Sequence, residues 1–295
     1  MSEASGAASL RDRLFVGFQY LLPQHTLSRL ILAVTRVRAP WFKNLLTWGF
    51  LKLFSVDMSE AVQPDPYAYR TFNDFFTRAL RPEARPIAPN PGAIVSPVDG
   101  MVSECGAIDE NRLLQAKGQV YTLGDLLAEQ PWAEHFEGGS FATIYLAPYN
   151  YHRIHMALRG ALTDTVYVPG KLFSVNSATA RQVPRLFARN ERVLTLFDTA
   201  FGRCALVLVG ALNVGSMATV WAGNITPAAR RLVTRIRCPS LTLEKGAELG
   251  RFNMGSTVIL LFEPNRVEWH AMLRVGSVVQ LGQPIGHGLI STPLH

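Results

Sequence analysis

The sequence predicts an α+β protein, in which a mainly antiparallel β core of barrel or sandwich type carries an amphipathic helical extension at its N-terminus. Two observations support this prediction. Residues 11–80 repeat apolar side chains at helical spacing, whereas short β-like runs separated by turns dominate from Ile94 onward. The segment between them, RPEARPIAPNPG at residues 81–92, is rich in proline, which ends helices. A chain of 295 residues, 48% hydrophobic and 17% charged, is large and apolar enough to bury such a core.

The first elements are a short tail and a basic helical region. Residues 1–10 are small and polar, so we expect a disordered tail. Residues 11–80 are predicted to be helical, and residues 11–54 within them hold seven Lys or Arg against one acid, interleaved with Leu, Phe and Trp. Pro23 and Pro40 divide the region, because proline disrupts a helix interior. We therefore expect separate helices that are both basic and amphipathic.

The last helix of the extension is predicted at TFNDFFTRAL, residues 71–80. Thr71 can cap its N-terminus, with Asp74 at the capping-box position. One further helical piece, TLGDLLAE near Leu126, interrupts the β region. The β-like runs of that region are GSFATIYLAP, TLFDTAFGRCALVLVG, VGSMATVWAG, STVILLFEP and SVVQLGQPIG.

The helical extension indicates a membrane surface as a partner. A basic amphipathic segment rich in Trp and Phe is typical of helices in the headgroup layer of an anionic membrane. No apolar run reaches the ~18–20 residues of a spanning helix, and the start MSEASGAASLRD lacks the apolar stretch of a secretory signal. The alternative is a helical hairpin packed on the protein's own core. We expect no nucleic-acid partner, because the net charge of +7 comes with too many large aliphatic side chains.

Three turn-like places in the β region concentrate reactive side chains. Asp99 lies in SPVDGMV, where an isolated aspartate is most simply a turn residue. His152 and His155 lie in APYNYHRIHMAL; on a helix they would share a face and could hold a metal, and on a strand they would point to opposite faces. No third ligand accompanies them, and the three cysteines lack CxxC spacing. We therefore expect no metal, and acid and base roles instead.

The third place is the Gly255-Ser256 pair in RFNMGSTVILLF, at the mouth of an apolar strand. Alone it would be a tight turn, but with Asp99 and His155 it completes a nucleophile, a base and an orienting carboxylate. The stretch NMGSTV is not a G-x-S-x-G elbow, which argues against an α/β-hydrolase. A serine at the start of a core strand can instead attack its own backbone. Gly255 suits that reaction because a residue without Cβ leaves its carbonyl approachable.

These residues belong to a series of motifs that resembles the phosphatidylserine decarboxylase family, pyruvoyl-dependent enzymes that mature by cutting themselves. The resemblance extends from about Tyr69 to Gly286. Most members have leucine where this chain has Met254, a nearly isosteric change. The motifs are YRTFNDFFTRALRPEARPI, SPVDG, YNYHRIHM, VPGKLFSVN, LFARNERV, ALNVGSM and KGAELGRFNMGSTVILLF.

The resemblance implies a self-cleavage mechanism. Ser256 would attack the carbonyl of Gly255, His155 would take the hydroxyl proton, and Asp99 would hold the imidazole. The resulting ester would break by β-elimination to dehydroalanine, which hydrolyses to a pyruvoyl group and ammonia. The catalytic domain, residues 81–295, would thereby be cut between residues 255 and 256. The products would be a β chain of residues 1–255 and an α chain of residues 256–295.

The resemblance also implies an activity, a cofactor and a location. The pyruvoyl group would form a Schiff base with phosphatidylserine and accept the electrons left by CO₂, without metal or PLP, to give phosphatidylethanolamine. His152 would protonate the α carbon. Lys171 and Arg189, in VPGKLFSVN and LFARNERV, are candidates to bind the lipid phosphate. The partners would be an anionic membrane, the phosphatidylserine substrate, and the β and α chains for each other. A homodimer is compatible with this set of partners. The enzyme would be peripheral on the cytoplasmic face of a bacterial inner membrane.

Two other functions stay open. A pyruvoyl enzyme that decarboxylates a soluble amino acid would share the self-cleavage but would not need a basic apolar N-terminus. A non-catalytic β domain of lipoyl or biotinyl type would share the β pattern. Such domains present a lysine in a hairpin turn, often beside a methionine, whereas here Met254 precedes Gly255.

Overall fold

The computed structural model of the chain describes residues 10–109, 111–116, 119–212, 216–226, 231–253 and 256–290. Helices occupy its N-terminal part, and antiparallel sheets follow from residue 93. The predicted α+β class and the mainly antiparallel β core are confirmed. Of the predicted tail, residues 1–9 lie outside the described residues, and Leu10 already begins the first helix.

The described residues contain seven α-helices and two short 3₁₀ turns, at Pro82–Ala84 and Pro131–Phe136. The helices are α1 (Leu10–Leu21), α2 (Gln24–Thr35), α3 (Pro40–Leu53), α4 (Phe72–Phe76), α5 (Leu123–Leu127), α6 (Ser177–Gln182) and α7 (Leu186–Arg189).

Eighteen strands lie in the described residues. They are β1 (Ala93–Val95), β2 (Gly100–Ala107), β3 (Arg112–Ala116), β4 (Gln119–Thr122), β5 (Ser140–Tyr145), β6 (Arg153–His155), β7 (Gly160–Val168), β8 (Arg192–Thr199), β9 (Gly202–Val209), β10 (Met217–Thr219), β11 (Gly223–Asn224), β12 (Thr234–Arg235), β13 (Thr242–Leu243), β14 (Glu248–Phe252), β15 (Thr257–Phe262), β16 (Val267–Trp269), β17 (Val278–Val279) and β18 (Pro284–Gly288).

Proline sets the boundaries of the N-terminal helices, as predicted. Pro23 is the residue before α2, and Pro40 is the first residue of α3. Proline is tolerated there because an amide N–H in the first turn has no acceptor within the helix. The predicted cap of the later helix is present too, since Thr71 Oγ1 accepts the amide of Asp74 at 3.0 Å before α4.

The helical prediction for residues 11–80 is too broad, because residues 54–71 form turns and extended segments. Pro64 and Pro66 lack the amide donors that a helix would need. The carboxylate of Asp57 accepts the amide of Ser59, and such local side-chain bonds compete with the helical ladder.

A nine-stranded antiparallel sheet forms the core. Its order is β12-β7-β8-β9-β15-β5-β2-β17, with β13 beside β7. The central strand β15 pairs on both sides, Val258 lying opposite Leu208 of β9 and Ile144 of β5. All of β15 is buried, as predicted from its continuous apolar run. Since β12 and β17 end the sheet without pairing to each other, the described strands form no closed barrel, which was one of the two core types predicted.

The remaining strands form smaller sheets around this core. Their orders are β11-β10-β14-β6, β1-β18-β16 and the hairpin β3-β4. The chain leaves the four-stranded sheet at β14 and enters the nine-stranded sheet at β15. The predicted cleavage site falls between these two strands, where Met254 and Gly255 lie outside the described residues.

The N-terminal helices bury polar side chains and expose apolar ones. The buried residues of α2 are Gln24, Ser28 and Thr35, and those of α3 are Lys43 and Thr47. The exposed apolar residues, which we call the outer helix face, are Leu10, Leu14, Phe15, Phe18, Leu21, Leu30, Trp41, Leu45, Trp48 and Leu53. Val16 of α1 is buried, and Phe50 of α3 packs on Phe72, Phe75 and Phe76. Apart from such residues, this distribution is the reverse of that expected for helices whose apolar side covers a core.

Polar bonds hold these helices on the core. The Gln19 side-chain oxygen accepts the amide of Ser174 at 2.7 Å, and that of Gln24 accepts the amide of Leu172 at 2.7 Å. The alternative prediction was that the helices pack on the protein's own core. The polar side of the helices does so. Among the described residues, no helix combines the length and the apolar character that crossing a membrane requires.

Candidate active site

Ser256 is held rigidly at the start of the central strand. Its carbonyl accepts the amide of Leu146 at 2.8 Å, and the next residue, Thr257, already pairs with Val209 and Tyr145 on the two neighbouring strands. The residue is 0% exposed, and its hydroxyl has no hydrogen-bond partner among the described residues. Ser140 and Thr257 also have buried hydroxyls without a partner among the described residues, so Ser256 is distinguished by its position at the start of the strand.

His155 ends strand β6, which settles the choice between helix and strand that the sequence left open. Its Nδ1 lies 2.7 Å from the Gly246 carbonyl, which can only accept, so Nδ1 carries the proton. Its Nε2 therefore accepts the hydroxyl of Tyr151 at 3.1 Å. Burial lowers the pKa of His155, while the charges of Glu248 and Asp99 raise it. The imidazole is thus neutral at pH 7, with Nε2 available as a base.

Asp99 follows the Ser96–Pro97 turn and forms a buried ion pair. Arg85 donates to both of its carboxylate oxygens, at 2.6–3.0 Å, and Leu281 donates its amide to Oδ1 at 2.8 Å. Arg85 also bonds both carboxylate oxygens of Glu60. The Asp99 carboxylate is thus fully engaged by groups other than His155.

His152 lies directly before β6 and is 0% exposed. Its Nδ1 donates to the Asn150 carbonyl at 2.8 Å, its ring packs on Phe76 with centroids 4.1 Å apart, and its Nε2 has no partner among the described residues. Burial and the positive charge of Arg78 lower the pKa of His152 to about 3. His152 is therefore a neutral imidazole with one free basic nitrogen.

Strand pairing gathers these residues from distant parts of the chain. The His155 amide donates to Pro97 in the turn that precedes Asp99, at 2.9 Å. The His152 carbonyl accepts the amide of Phe252, four residues before Ser256, at 3.0 Å. The described hydrogen bonds do not join Asp99 to His155 or His155 to Ser256, so the triad stays a prediction.

An apolar cavity of about 280 Å³ adjoins the site. It is bounded by Phe76, which packs on His152, and by Leu146, which bonds Ser256. Other parts of its lining come from α1, α3 and the segments at residues 174–175 and 211–212. The cavity therefore connects the neighbourhood of Ser256 with the N-terminal helices.

Lys171 and Arg189 lie where α1 and α2 meet the core. The Arg189 guanidinium stands 5.2 Å from the centroid of the Phe173 ring and 5.7 Å from that of Tyr20. The Lys171 amide donates to the Arg189 carbonyl at 2.8 Å. The described contacts do not join either side chain to Ser256, so their assignment to the lipid phosphate stays a prediction.

Two groups beside the candidate residues were not expected from the sequence. The Gly246 carbonyl orients His155, and a backbone oxygen gives no signal in a residue pattern. Arg85 lies in the proline-rich connector at residues 81–92, and its guanidinium holds the Asp99 carboxylate. The described residues contain no group of three or more His, Cys, Asp or Glu placed to hold a metal ion.

Two family models match the chain. The model described as phosphatidylserine decarboxylase matches residues 72–287, and a model described as PSD matches residues 14–55. The first includes all the candidate catalytic residues, and the second lies within the N-terminal helical region.

Similar proteins named phosphatidylserine decarboxylase proenzyme extend the match to nearly the whole chain. The protein of Pseudomonas fluorescens is 54% identical over 286 residues, 95% of this chain and 99% of that protein. That of Pseudomonas putida is 55% identical over 280 residues, 93% and 97% of the two chains. That of Bordetella pertussis is 53% identical over 281 residues, 93% and 94%.

Proposed function

The chain belongs to the phosphatidylserine decarboxylase family, and we propose that it cuts itself before Ser256 and then converts phosphatidylserine to phosphatidylethanolamine. The observation that carries the proposal is the position of Ser256 at the start of the central strand, where its buried hydroxyl has no partner among the described residues. Leaving a buried polar group unpaired costs about 1–3 kcal/mol. A nucleophilic role for the Ser256 hydroxyl would explain why the protein keeps an unpaired group there.

In self-cleavage, Ser256 is the nucleophile and His155 is the base. The neutral His155 imidazole has its basic Nε2 on the side away from Gly246, so this nitrogen takes the hydroxyl proton. Asp99 acts through its charge, because it raises the pKa of His155 and so stabilises the imidazolium that forms. This role needs no direct contact between the two side chains, and it allows Asp99 to keep its bonds to Arg85.

The residues around Ser256 fit a pyruvoyl group made from it, since the Ser256 hydroxyl and His152 Nε2 are both buried and neither has a partner among the described residues. A pyruvoyl group at this position supplies a carbonyl that binds the substrate amine and accepts the electrons left by CO₂. His152 is the residue we assign to the proton at the α carbon. Its Nδ1 is fixed by Asn150, so only Nε2 can take up and deliver that proton.

One experiment distinguishes the proposed activity from decarboxylation of a soluble amino acid. Purified protein is incubated with vesicles that contain phosphatidylserine, or with free serine, and the loss of CO₂ and the intact masses are measured. We expect phosphatidylethanolamine from the vesicles only, and an α chain of residues 256–295 that is lighter than its sequence mass by one ammonia. Conversion of free serine instead would support the soluble amino-acid decarboxylase, and an uncut inactive chain would refute both.

The outer helix face supports docking on a membrane, at the cytoplasmic face of the inner membrane if the organism resembles those of the similar proteins. Trp41 is 72% exposed and Leu53 is 78% exposed, although both are large apolar residues. Each would gain about 1.5–3 kcal/mol if fully buried. Because the polar side of the helices is bonded to the core, the apolar side is free to enter a lipid surface. The apolar cavity would then lie next to the lipids.

Replacing Trp41, Leu45 and Trp48 together by serine should weaken binding to anionic vesicles by about 100-fold or more, since several kcal/mol of burial is lost. Sedimentation with phosphatidylglycerol-containing vesicles measures the effect. Met272→Ser is the matched control, because Met272 is 77% exposed but lies outside the helices. Unchanged sedimentation of the triple variant would contradict membrane docking through this face.

A further inference from the structure

We propose that Arg78 binds the phosphodiester group of the lipid substrate at a polar cavity beside His152. The inference rests on the proposed function, because it assigns a headgroup site to that activity. Arg78 precedes the connector at residues 81–92 and follows α4, so it belongs to the segment that joins the helices to the β core.

The first observation is that Arg78 is a buried cation that forms no ion pair with any described residue. The residue is 5% exposed, and its Nε atom is buried with no hydrogen-bond partner among the described residues. Its one side-chain hydrogen bond to the described residues is long, from Nη2 to the Tyr149 carbonyl at 3.5 Å. Burial lowers the pKa of Arg78. A buried charge is retained at a cost in stability unless an opposite charge arrives.

The second observation is that the acids near Arg78 are engaged by other groups. Glu60 and Asp99 are both held by Arg85 at 2.6–3.0 Å. Asp57 accepts the amide and the hydroxyl of Ser59. Glu60 and Asp99 act on Arg78 only at longer range. No described carboxylate therefore neutralises Arg78 directly.

The third observation is that Arg78 lines a cavity of about 240 Å³ that leads to the active site. Tyr149, Asn150 and Tyr151, the three residues before His152, form one wall. Ser55, two residues beyond the end of α3, forms part of another. The lining also includes Arg85 and the three carboxylates Asp57, Glu60 and Asp99, which are engaged as described above. Arg78 lies close enough to His152 for its charge to act on that imidazole. An anion in this cavity would thus sit between the membrane-facing helices and the proton-transfer residue.

The chemistry of the headgroup favours the phosphodiester over the carboxylate. A guanidinium matches either group with two parallel hydrogen bonds. However, tight binding of the carboxylate would stabilise the substrate against loss of CO₂, which opposes catalysis. The phosphodiester is unchanged by the reaction and lies at the lipid surface. Arg78 can therefore hold it throughout turnover.

The test compares binding of sn-glycero-3-phosphoethanolamine and of free serine to the wild-type protein and to Arg78→Met. The first probe has the phosphodiester without a carboxylate, and the second has the carboxylate without a phosphodiester. Calorimetry measures both affinities. We expect Arg78→Met to bind the first probe roughly tenfold or more weakly than the wild type, because a charge-assisted hydrogen bond is lost. Arg78→Lys should keep part of the affinity. Arg159→Met, at an exposed ion pair with Glu244, is the control that should bind as the wild type does.

A thermal scan separates binding from folding. Arg78→Met should unfold at the wild-type temperature or above, because it replaces an unpaired buried charge by an apolar chain of similar length. A much lower unfolding temperature would show a structural role and overturn the inference. Wild-type affinity of Arg78→Met for the phosphodiester probe, or a loss confined to serine, would overturn it too. Either result would leave the proposed function intact if the wild-type protein converts phosphatidylserine.

Discussion

Ser256→Ala is expected to remain a single uncut chain with no decarboxylase activity. The variant lacks the oxygen that attacks the preceding carbonyl and the side chain that would become the electron-accepting group, so both processes fail together. Its stability should not fall, because the deleted hydroxyl is buried and makes no hydrogen bond to the described residues. Intact mass under denaturing conditions, phosphatidylethanolamine formation and a thermal scan measure the three expectations.

The matched control is Ser140→Ala. Ser140 also has a hydroxyl that is buried without a partner, and it lies opposite Phe262, at the other end of β15. This variant should cut itself and decarboxylate as the wild type does. Cleavage of Ser256→Ala, or an equal failure of Ser140→Ala, would contradict the assignment of Ser256 as nucleophile.

The second large effect separates the two histidines. His155→Ala should stay uncut, because it lacks the Nε2 that is assigned to take the Ser256 hydroxyl proton. His152→Ala should still be cut, but its decarboxylation should slow by about 10²–10⁴-fold, the usual contribution of a positioned acid or base. Gel analysis of the two chains and the rate of phosphatidylethanolamine formation distinguish these outcomes.

An uncut His152→Ala chain would refute this division of roles. Asp99→Ala shares the expected uncut result, but it would also remove one of the two acids that the buried Arg85 guanidinium binds, leaving only Glu60. Asp99→Asn keeps the shape while removing the charge, and is therefore the better variant for the electrostatic role assigned to Asp99.

The sequence predicted those parts of the fold that depend on local patterns. The apolar run at residues 257–262 became the central strand, and the Thr71 cap and the helix near Leu126 were placed correctly. Sheet closure was not predictable from the same patterns. Alternating strands are compatible with a barrel or an open sheet, and only pairing between β12 and β17 would have decided between them.

The sequence also did not predict that the outer helix face points away from the core. Periodicity separates Trp41 and Trp48 from Lys43 and Thr47, but it does not say which side meets the core. That choice depends on long-range bonds such as the one from Lys43 Nζ to the Tyr69 carbonyl, at 2.9 Å. The structure buries the polar side because the core offers carbonyl and amide groups there.

The candidate site was predictable as a set of residue types and less so as an arrangement. Asp99, His152, His155 and Ser256 stood out because their side chains are reactive. Their partners did not, because Gly246 contributes a backbone oxygen and Arg78 and Arg85 lie in one arginine-rich stretch. Which arginine neutralises an acid and which remains unpaired is decided by the fold alone.

The central position of β15 has a consequence for how the mature enzyme can be made. Cutting before Ser256 would turn β15 to β18 into a separate polypeptide, held between β9 and β5 and against β1 and β2 without a covalent link. The uncut precursor can fold as one molecule, whereas two cut chains must find each other, so their refolding depends on concentration. Maturation therefore makes unfolding hard to reverse, and the lifetime of the enzyme becomes a matter of unfolding rate rather than of equilibrium.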